Sequence, residues 1–282
     1  MLNRIRSVLL GGGLLAMALA GSGCRQADLT RQHLLRPWRV VPVEIEGPAL
    51  REQTPTAITV RNERGSVWIE VDEHLSEPVV EAKISWGRDE WMMPWPGNSG
   101  GGKVLVTRDT TNGPGDILRI EGVLSEGAPE SAFLDLRVRT PRCDGVNVIN
   151  DGGPIILLGV GGAITAQNGV EGSRGGRIEL RTSKPIQDPI ALVTIEGRIS
   201  AVLDPSGRGR VELDAEGGNA EFESSYGSVT EVRPSPNRFR GVWNGGSNPI
   251  IARSARGHVH VQVQPNAEMY TVADGWIASV KR

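Results

Sequence analysis

Aromatic side chains are scarce in this chain, at 4% of 282 residues. A core is therefore filled by Val, Ile, Leu and Ala, which suits a narrow space between closely packed strands. Cysteine is scarcer, with only Cys24 and Cys143. Cys24 has a separate use, argued below, so no intrachain disulfide is expected and Cys143 reads as a buried free thiol. Apart from the N-terminus, no window carries a sustained helical apolar stripe. The apolar run at residues 8–20 falls short of the roughly 20 residues that a helix needs to cross a bilayer. Excess charge is also missing: the formal net charge is −2 and the signs are interspersed. No basic stripe stands out, so nothing in the electrostatics favours nucleic acid.

What is abundant is glycine, 37 residues, with 18 prolines. Together they stay below the roughly 25–30% at which low complexity becomes the default. The glycines punctuate alternating apolar segments. Gly176-Arg177-Ile178-Glu179-Leu180, Gly197-Arg198-Ile199-Ser200-Ala201, Gly209-Arg210-Val211-Glu212-Leu213 and Gly257-His258-Val259-His260-Val261 are four such units. Apolar residues two apart line one face of a strand, leaving the other face wet. Glycine supplies the turn. From Cys143 onward, strand-opening glycines fall at Gly145, Gly162, Gly176, Gly197, Gly209, Gly227 and Gly257, at wandering intervals. The expectation is an all-β, β-solenoid or β-helix-like stack of short strands with glycine corners. A β-sandwich with regular hairpins is the alternative architecture.

The N-terminus has a different logic. Arg4 and Arg6 precede the apolar run, and small residues lead to Cys24. Residues 1–23 therefore read as a signal peptide. Leu19-Ala20-Gly21-Ser22-Gly23-Cys24 resembles the lipobox of bacterial lipoproteins, with Gly21 where that family has an aliphatic residue. The resemblance implies that Cys24 opens the mature chain and carries lipid, an anchor to a membrane. Residues 24–39 read as a tether. An N-terminal β-rich part spans 40–140, the glycine–strand repeats 141–263, and a C-terminal cap 264–282, with Tyr270 and Trp276.

The insert at 86–102 breaks the strand rhythm and gathers Trp86, Trp91 and Trp95. Two readings follow: a sugar-stacking or partner-binding surface, or an aromatic plug closing one end of the core.

The unit at 65–71, Val138-Arg139-Thr140-Pro141, Phe239-Arg240-Gly241-Val242-Trp243-Asn244-Gly245-Gly246 and the segment at 250–259 follow one another in a recognisable order. Together they resemble a bacterial adhesin-like family with glycine-punctuated β-strand repeats, over about residues 55–263. That resemblance implies a solenoid-like fold and export. It supplies no catalytic residues, and its biochemical content is slight.

Sites of chemistry are few. Gly97-Asn98-Ser99-Gly100-Gly101 is similar to a serine-protease nucleophile loop, but Asn98 replaces the Asp and no histidine partner is evident, with His33 in the tether and His74 in a turn-like stretch. His258 and His260 share a strand face, with no Asp, Glu or Cys at ligand-like spacing, so they read as solvated residues opposite Val259, Val261 and Val263. Glu212, Asp214, Glu216, Glu221 and Glu223 alternate in a way that an acidic ladder for Ca²⁺ would, but each also fits a wet-face position. Gly159-Val160-Gly161-Gly162 lacks dinucleotide-loop spacing. No catalytic group, metal site or cofactor is expected. The expected function is a non-catalytic, adhesin-like binding module, exported and lipid-anchored at the cell envelope, contacting an envelope protein or surface glycan. A periplasmic structural or regulatory component with a protein partner is the alternative, and a polysaccharide-acting enzyme the third reading.

Overall fold

The structure is a computed structural model and describes residues 38–41, 43–51, 54–86, 101–110, 115–169 and 175–269. The signal segment, Cys24, most of the tether, Trp91, Trp95, residues 97–100 and residues 270–282 lie outside these.

The chain opens with β1 (Trp38–Val40), β2 (Val43–Glu46), β3 (Thr56–Asn62) and β4 (Val67–Val71). It continues through β5 (Val79–Ser85), β6 (Gly102–Asp109), β7 (Asp116–Leu124) and β8 (Phe133–Thr140). Next come β9 (Gly145–Asn150), β10 (Ile155–Leu158), β11 (Ala163–Asn168), β12 (Ile178–Thr182), β13 (Ile190–Thr194) and β14 (Ile199–Leu203). Last are β15 (Gly209–Ala215), β16 (Ala220–Ser224), β17 (Val229–Ser235), β18 (Arg238–Trp243), β19 (Pro249–Ser254) and β20 (Val259–Val263). The all-β expectation holds: among the described residues the helical content is the single 3₁₀ turn Ala267–Met269.

Two sheets face each other across the core. The first runs β1-β5-β8-β4-β10-β12-β14-β20-β16, and the second β17-β18-β15-β19-β13-β11-β9-β3-β7-β6-β2. Through the middle, the chain alternates between them. Each second-sheet strand passes through a corner into a first-sheet strand, and both stack parallel on the next such pair. Call each pair a rung. Alternation in β11, exposed then buried three times over, shows why the sequence suits it: Ile164, Ala166 and Asn168 turn inward while Ala163, Thr165 and Gln167 face water. Columns of like residues result. Val67, Ile155, Ile178, Ile199 and Val259 stack in register down the first sheet, each fully buried.

The rungs are not stacked in chain order. The β3–β4 rung lies inside the β7–β8 rung, since β3 pairs with β7 and β9, and β4 with β8 and β10. At the other end, β19–β20 inserts between β13–β14 and β15–β16. Antiparallel pairings are confined to the ends: β1–β5, β5–β8 and β6–β7 at one, β15–β18 and β17–β18 at the other. Regular hairpins therefore do not build the middle. The end beyond β15–β16 is filled by aromatics. Phe222 stacks on Phe239 at 5.3 Å between centroids, and Trp243, fully buried, meets Phe222 edge-on at 6.0 Å. Residues 264–269 leave from β20, which lies within the first sheet rather than at its end. Edge strand β17 carries a register shift between Thr230 and Arg233, Glu231 at φ 53°, and Pro234, features that blunt further strand pairing.

One corner of each of the five inner rungs carries a buried polar residue, while the outermost rungs have Gly122 and Ala215 at that position. Asn62, Asn150, Asn168, Thr194 and Ser254 end successive second-sheet strands, stand opposite one another in register, and are at most 2% exposed. Their side chains donate to carbonyls of the corner. Asn62 Nδ2 donates to Leu134 O (3.1 Å) and Asn150 Oδ1 (3.0 Å). Asn150 Nδ2 donates to Gly65 O (3.0 Å) and Gly152 O (2.6 Å), and Asn168 Nδ2 to Gly153 O (2.7 Å). Thr194 Oγ1 donates to Gly176 O (2.7 Å), and Ser254 Oγ to Gly197 O (2.8 Å). Buried carbonyls need such partners, because a turn has none of the ladder bonds of a strand.

Beside this column runs one of glycines: Gly65, Gly153, Gly176, Gly197, Gly257 and Gly218. The expected turn chemistry holds for Gly65, Gly153 and Gly197, at φ +118°, +83° and +119°. Gly176 and Gly257 do not have positive φ and are glycines because neighbouring rungs touch there. A Cβ on Gly257 would lie 2.0 Å from Gly197 O, and one on Gly176 would lie 2.2 Å from Gly153 O.

Gly257→Ala is expected to cost stability at or above the top of the roughly 1–3 kcal/mol range for overpacking. Gly152→Ala, where a Cβ meets nothing within 4 Å and φ is not positive, leaves stability unchanged or raises it by up to about 1 kcal/mol. Urea midpoints of the two variants check this. Equal midpoints would remove the contact argument. Asn150→Leu strands the Gly65 carbonyl and leaves Gly152 O with the Gly65 N–H as its donor, and is expected to cost about 1–3 kcal/mol in the same measurement.

Candidate functional site

The two outer faces of the stack differ. On the first sheet, the residues between core positions pack on each other. The row Arg137, Trp68, Ile156 and Glu179 is in register across β8, β4, β10 and β12. Trp68, Ile156 and Glu179 are each under 9% exposed. Arg137 lies over the Trp68 ring at 5.6 Å and pairs with Glu70 at 3.1 Å, and Arg181 pairs with Glu179. These charges already have partners, so the stretch of this face from β8 to β12 has little left to offer a ligand.

The second sheet presents the open face. Across β7, β3, β9, β11, β13 and β19 one row reads Arg119, Thr59, Asn147, Thr165, Ala191 and Ile251. The next row reads Glu121, Arg61, Ile149, Gln167, Val193 and Arg253. Asn147, Thr165 and Gln167 are exposed, as are Ile149 (37%) and Val193 (40%). The three central strands β9, β11 and β13 carry no charge on this face, while Arg61, Glu121 and Arg253 flank them. With strands about 4.8 Å apart, the uncharged window is roughly 10–15 Å wide. It combines amide and hydroxyl groups with two aliphatic side chains on a rigid, parallel-paired base. Such a surface binds by shape and neutral hydrogen bonding.

An open groove of about 660 Å³ is lined by Val71, Leu75, Arg142, Cys143 and Lys184, among others. Lys184 Nζ pairs with Glu73 at 3.1 Å. Cys143 is buried and free, as expected. Burial pushes its thiol from 9.0 up to about 12, with Asp144 adding to the rise and the Gly145 hydrogen bond opposing it. A thiol held protonated is a poor nucleophile.

The expected site residues fare variously. Trp86 is partly buried and packs against the core, as a plug would; Trp91, Trp95 and Cys24 lie outside the described residues, as do His33 and Ser99. The five carboxylates do not form one ladder. Glu212 and Asp214 sit on the second sheet, facing Arg240 and Arg238, with Asp214 and Arg238 paired at 3.1 Å, while Glu221 and Glu223 sit on the first. The histidine expectation is corrected. Val259, Val261 and Val263 are buried opposite, but His260 does have carboxylate neighbours: β16 pairs with β20 so that Glu221 is opposite His260, and Glu223 Oε2 is 3.3 Å from His260 Nε2. Spacing along one strand does not reveal a neighbour supplied sideways. The buried column Asn62, Asn150, Asn168, Thr194 and Ser254 was not anticipated either. A signal existed, since a small polar residue stands three before a glycine at 62/65, 150/153, 194/197 and 254/257.

No family model and no curated protein matches the chain. Among solved structures, a candidate cell adhesion protein from Clostridium sporogenes ATCC 15579 aligns with a TM-score of 0.38 and 12% identity, covering 81% of this chain and 100% of that one. A candidate adhesin from Bacteroides fragilis NCTC 9343 aligns with a TM-score of 0.25 and 10% identity, covering 81% and 97%.

The Cys143 thiol yields a pH prediction. Below about pH 9 it is protonated whether folded or not, and adds no pH dependence. Between about 9 and 12 the unfolded chain releases the proton and the folded chain keeps it, so stability falls as pH rises. Comparing urea midpoints of the parent and Cys143→Ala from pH 8 to 10.5, the parent is expected to lose stability more steeply. Parallel profiles would place the thiol in a more polar setting than its burial implies.

Proposed function

We propose that this protein is an exported, lipid-anchored, non-catalytic binding module of the cell envelope, which presents the outer face of its second sheet to an envelope protein or surface glycan. The observation that carries this reading is the uncharged, exposed window across β9, β11 and β13, set between charged flanks on a base of buried, in-register columns. Export and anchoring rest on Arg4, Arg6, the apolar run 8–20 and Cys24. The parallel rungs hold the window rigid, so little ordering cost falls on binding.

Two measurements separate the parts of this reading. Intact cells treated with protease are expected to lose the body, and Cys24→Ala is expected to release it from the membrane fraction. Protection of the body until the envelope is opened would redirect the search to periplasmic partners. Separately, Thr165→Lys with Gln167→Lys places two charges in the window. Exposed substitutions of this kind shift stability by about 0.5 kcal/mol or less. The double variant is expected to lose retention on isolated envelope material at least tenfold while its thermal midpoint holds. Unaltered retention would take the function away from this face.

A further inference from the structure

The first sheet ends at β16, and there the pairing with β20 gathers three ligand-bearing side chains. Glu221, Glu223 and His260 each bring one donor atom to within 4.8 Å of the others. Glu221 is directly opposite His260, and Glu223 is the diagonal neighbour, both within cross-strand reach. The backbone beneath them is pinned at the strand starts: Val259 N donates to Asn219 O (2.9 Å), and Asn219 N donates to His258 Nδ1 (3.0 Å).

Among the described residues, two carboxylates stand together here with no arginine or lysine ion-paired to either. Asp214, Glu70, Glu73 and Glu196 each face an arginine or lysine. Among the described residues Glu223 has only His260 as an ion partner, and Glu221 has none. His260 Nε2 is shielded from solvent and makes no hydrogen bond, although Glu223 Oε2 is 3.3 Å away. A shielded, unbonded ring nitrogen within 4.8 Å of two carboxylates that no Arg or Lys partners makes a donor set suited to a cation.

We propose that Glu221, Glu223 and His260 form a binding site for one divalent first-row transition ion. The donor set sets the class. Calcium and magnesium favour all-oxygen shells, whereas an imidazole nitrogen beside carboxylates suits Zn²⁺, Co²⁺ or Ni²⁺. Three protein donors leave the remaining positions to water. The bound ion ties the edge strand β16 to β20, the strand of the inserted rung, and offsets two carboxylates that otherwise stand side by side. The site is on the first sheet, apart from the window of the second, so its test is independent of the binding role.

The experiment is a Co²⁺ titration of the tag-free full chain, followed by visible absorption, with Zn²⁺ titrated by calorimetry. One ion per chain is expected, with cobalt d–d bands and a thermal midpoint that rises with Zn²⁺. His260→Gln and Glu223→Gln are each expected to weaken binding by at least the roughly 10–100-fold that loss of even an outer-shell partner costs, and to abolish the rise. Glu223 is exposed on an edge strand, so Glu223→Gln carries the test if His260→Gln does not fold. No saturable binding by the parent, or binding unchanged in the variants, overturns the proposal. Ca²⁺ binding that survives His260→Gln overturns it too, by showing a carboxylate-only site.

Discussion

The buried hydrogen bonds at the rung corners are the constraint on which this fold depends. A parallel stack needs the chain to turn from one sheet to the other at each rung, and each turn exposes carbonyls that no strand satisfies. Asn62, Asn150, Asn168, Thr194 and Ser254 answer this from within, each donating to a carbonyl in its own corner or the neighbouring one. An unpaired buried carbonyl costs about 1–3 kcal/mol, so a handful of them would rival the entire stability of a domain. The backbone ladders fix the vertical spacing, which brings glycine corners so close that a Cβ on Gly257 has no room. Polar column and glycine column serve the same stacked corners as one device.

That device makes the middle of the stack repetitive and leaves the ends to be solved differently. A repeat array that simply stopped would present two long open edges. Here the first and last rungs are interleaved with their neighbours, and antiparallel strands lie outside them. Inserting β19–β20 between earlier rungs ties the end of the repeat region to β13 and β14 as well as to β15 and β16. Contacts far apart in sequence then form together, so folding is slow and unfolding cooperative compared with a stack built one rung at a time.

The two outer faces differ in how far their side chains pair with one another. The first sheet's outer residues are occupied with one another through Trp68, Arg137, Glu179 and Arg181. The second sheet's central strands keep neutral, exposed side chains that form no ion pairs, with Gln167 Nε2 donating to Gly169 O at 3.3 Å. In the proposed binding role, the contacts come from what the second sheet leaves free of ion pairs.

Much of this was legible in the sequence. Period-two alternation and glycine punctuation predicted strands, and the apolar columns follow from it: Ile178, Ile199 and Val259 each stand two residues after their glycine. The burial of Cys143 followed from its being unpaired. Other features were not legible, because they arise between strands distant in sequence. Nothing local tells that β20 lies beside β16 rather than after it, so Glu221 and Glu223 could not be placed against His260. Nor does wet-face alternation distinguish an outer face locked by its own ion pairs from one left open. The sequence alone determined the strand period, the in-or-out sense of each side chain and the sites of turning, since these depend on backbone sterics and the nearest residues. Only the tertiary structure decided the order of the rungs, the partners of the polar column and the open face, because lateral register is chosen by packing across the whole stack.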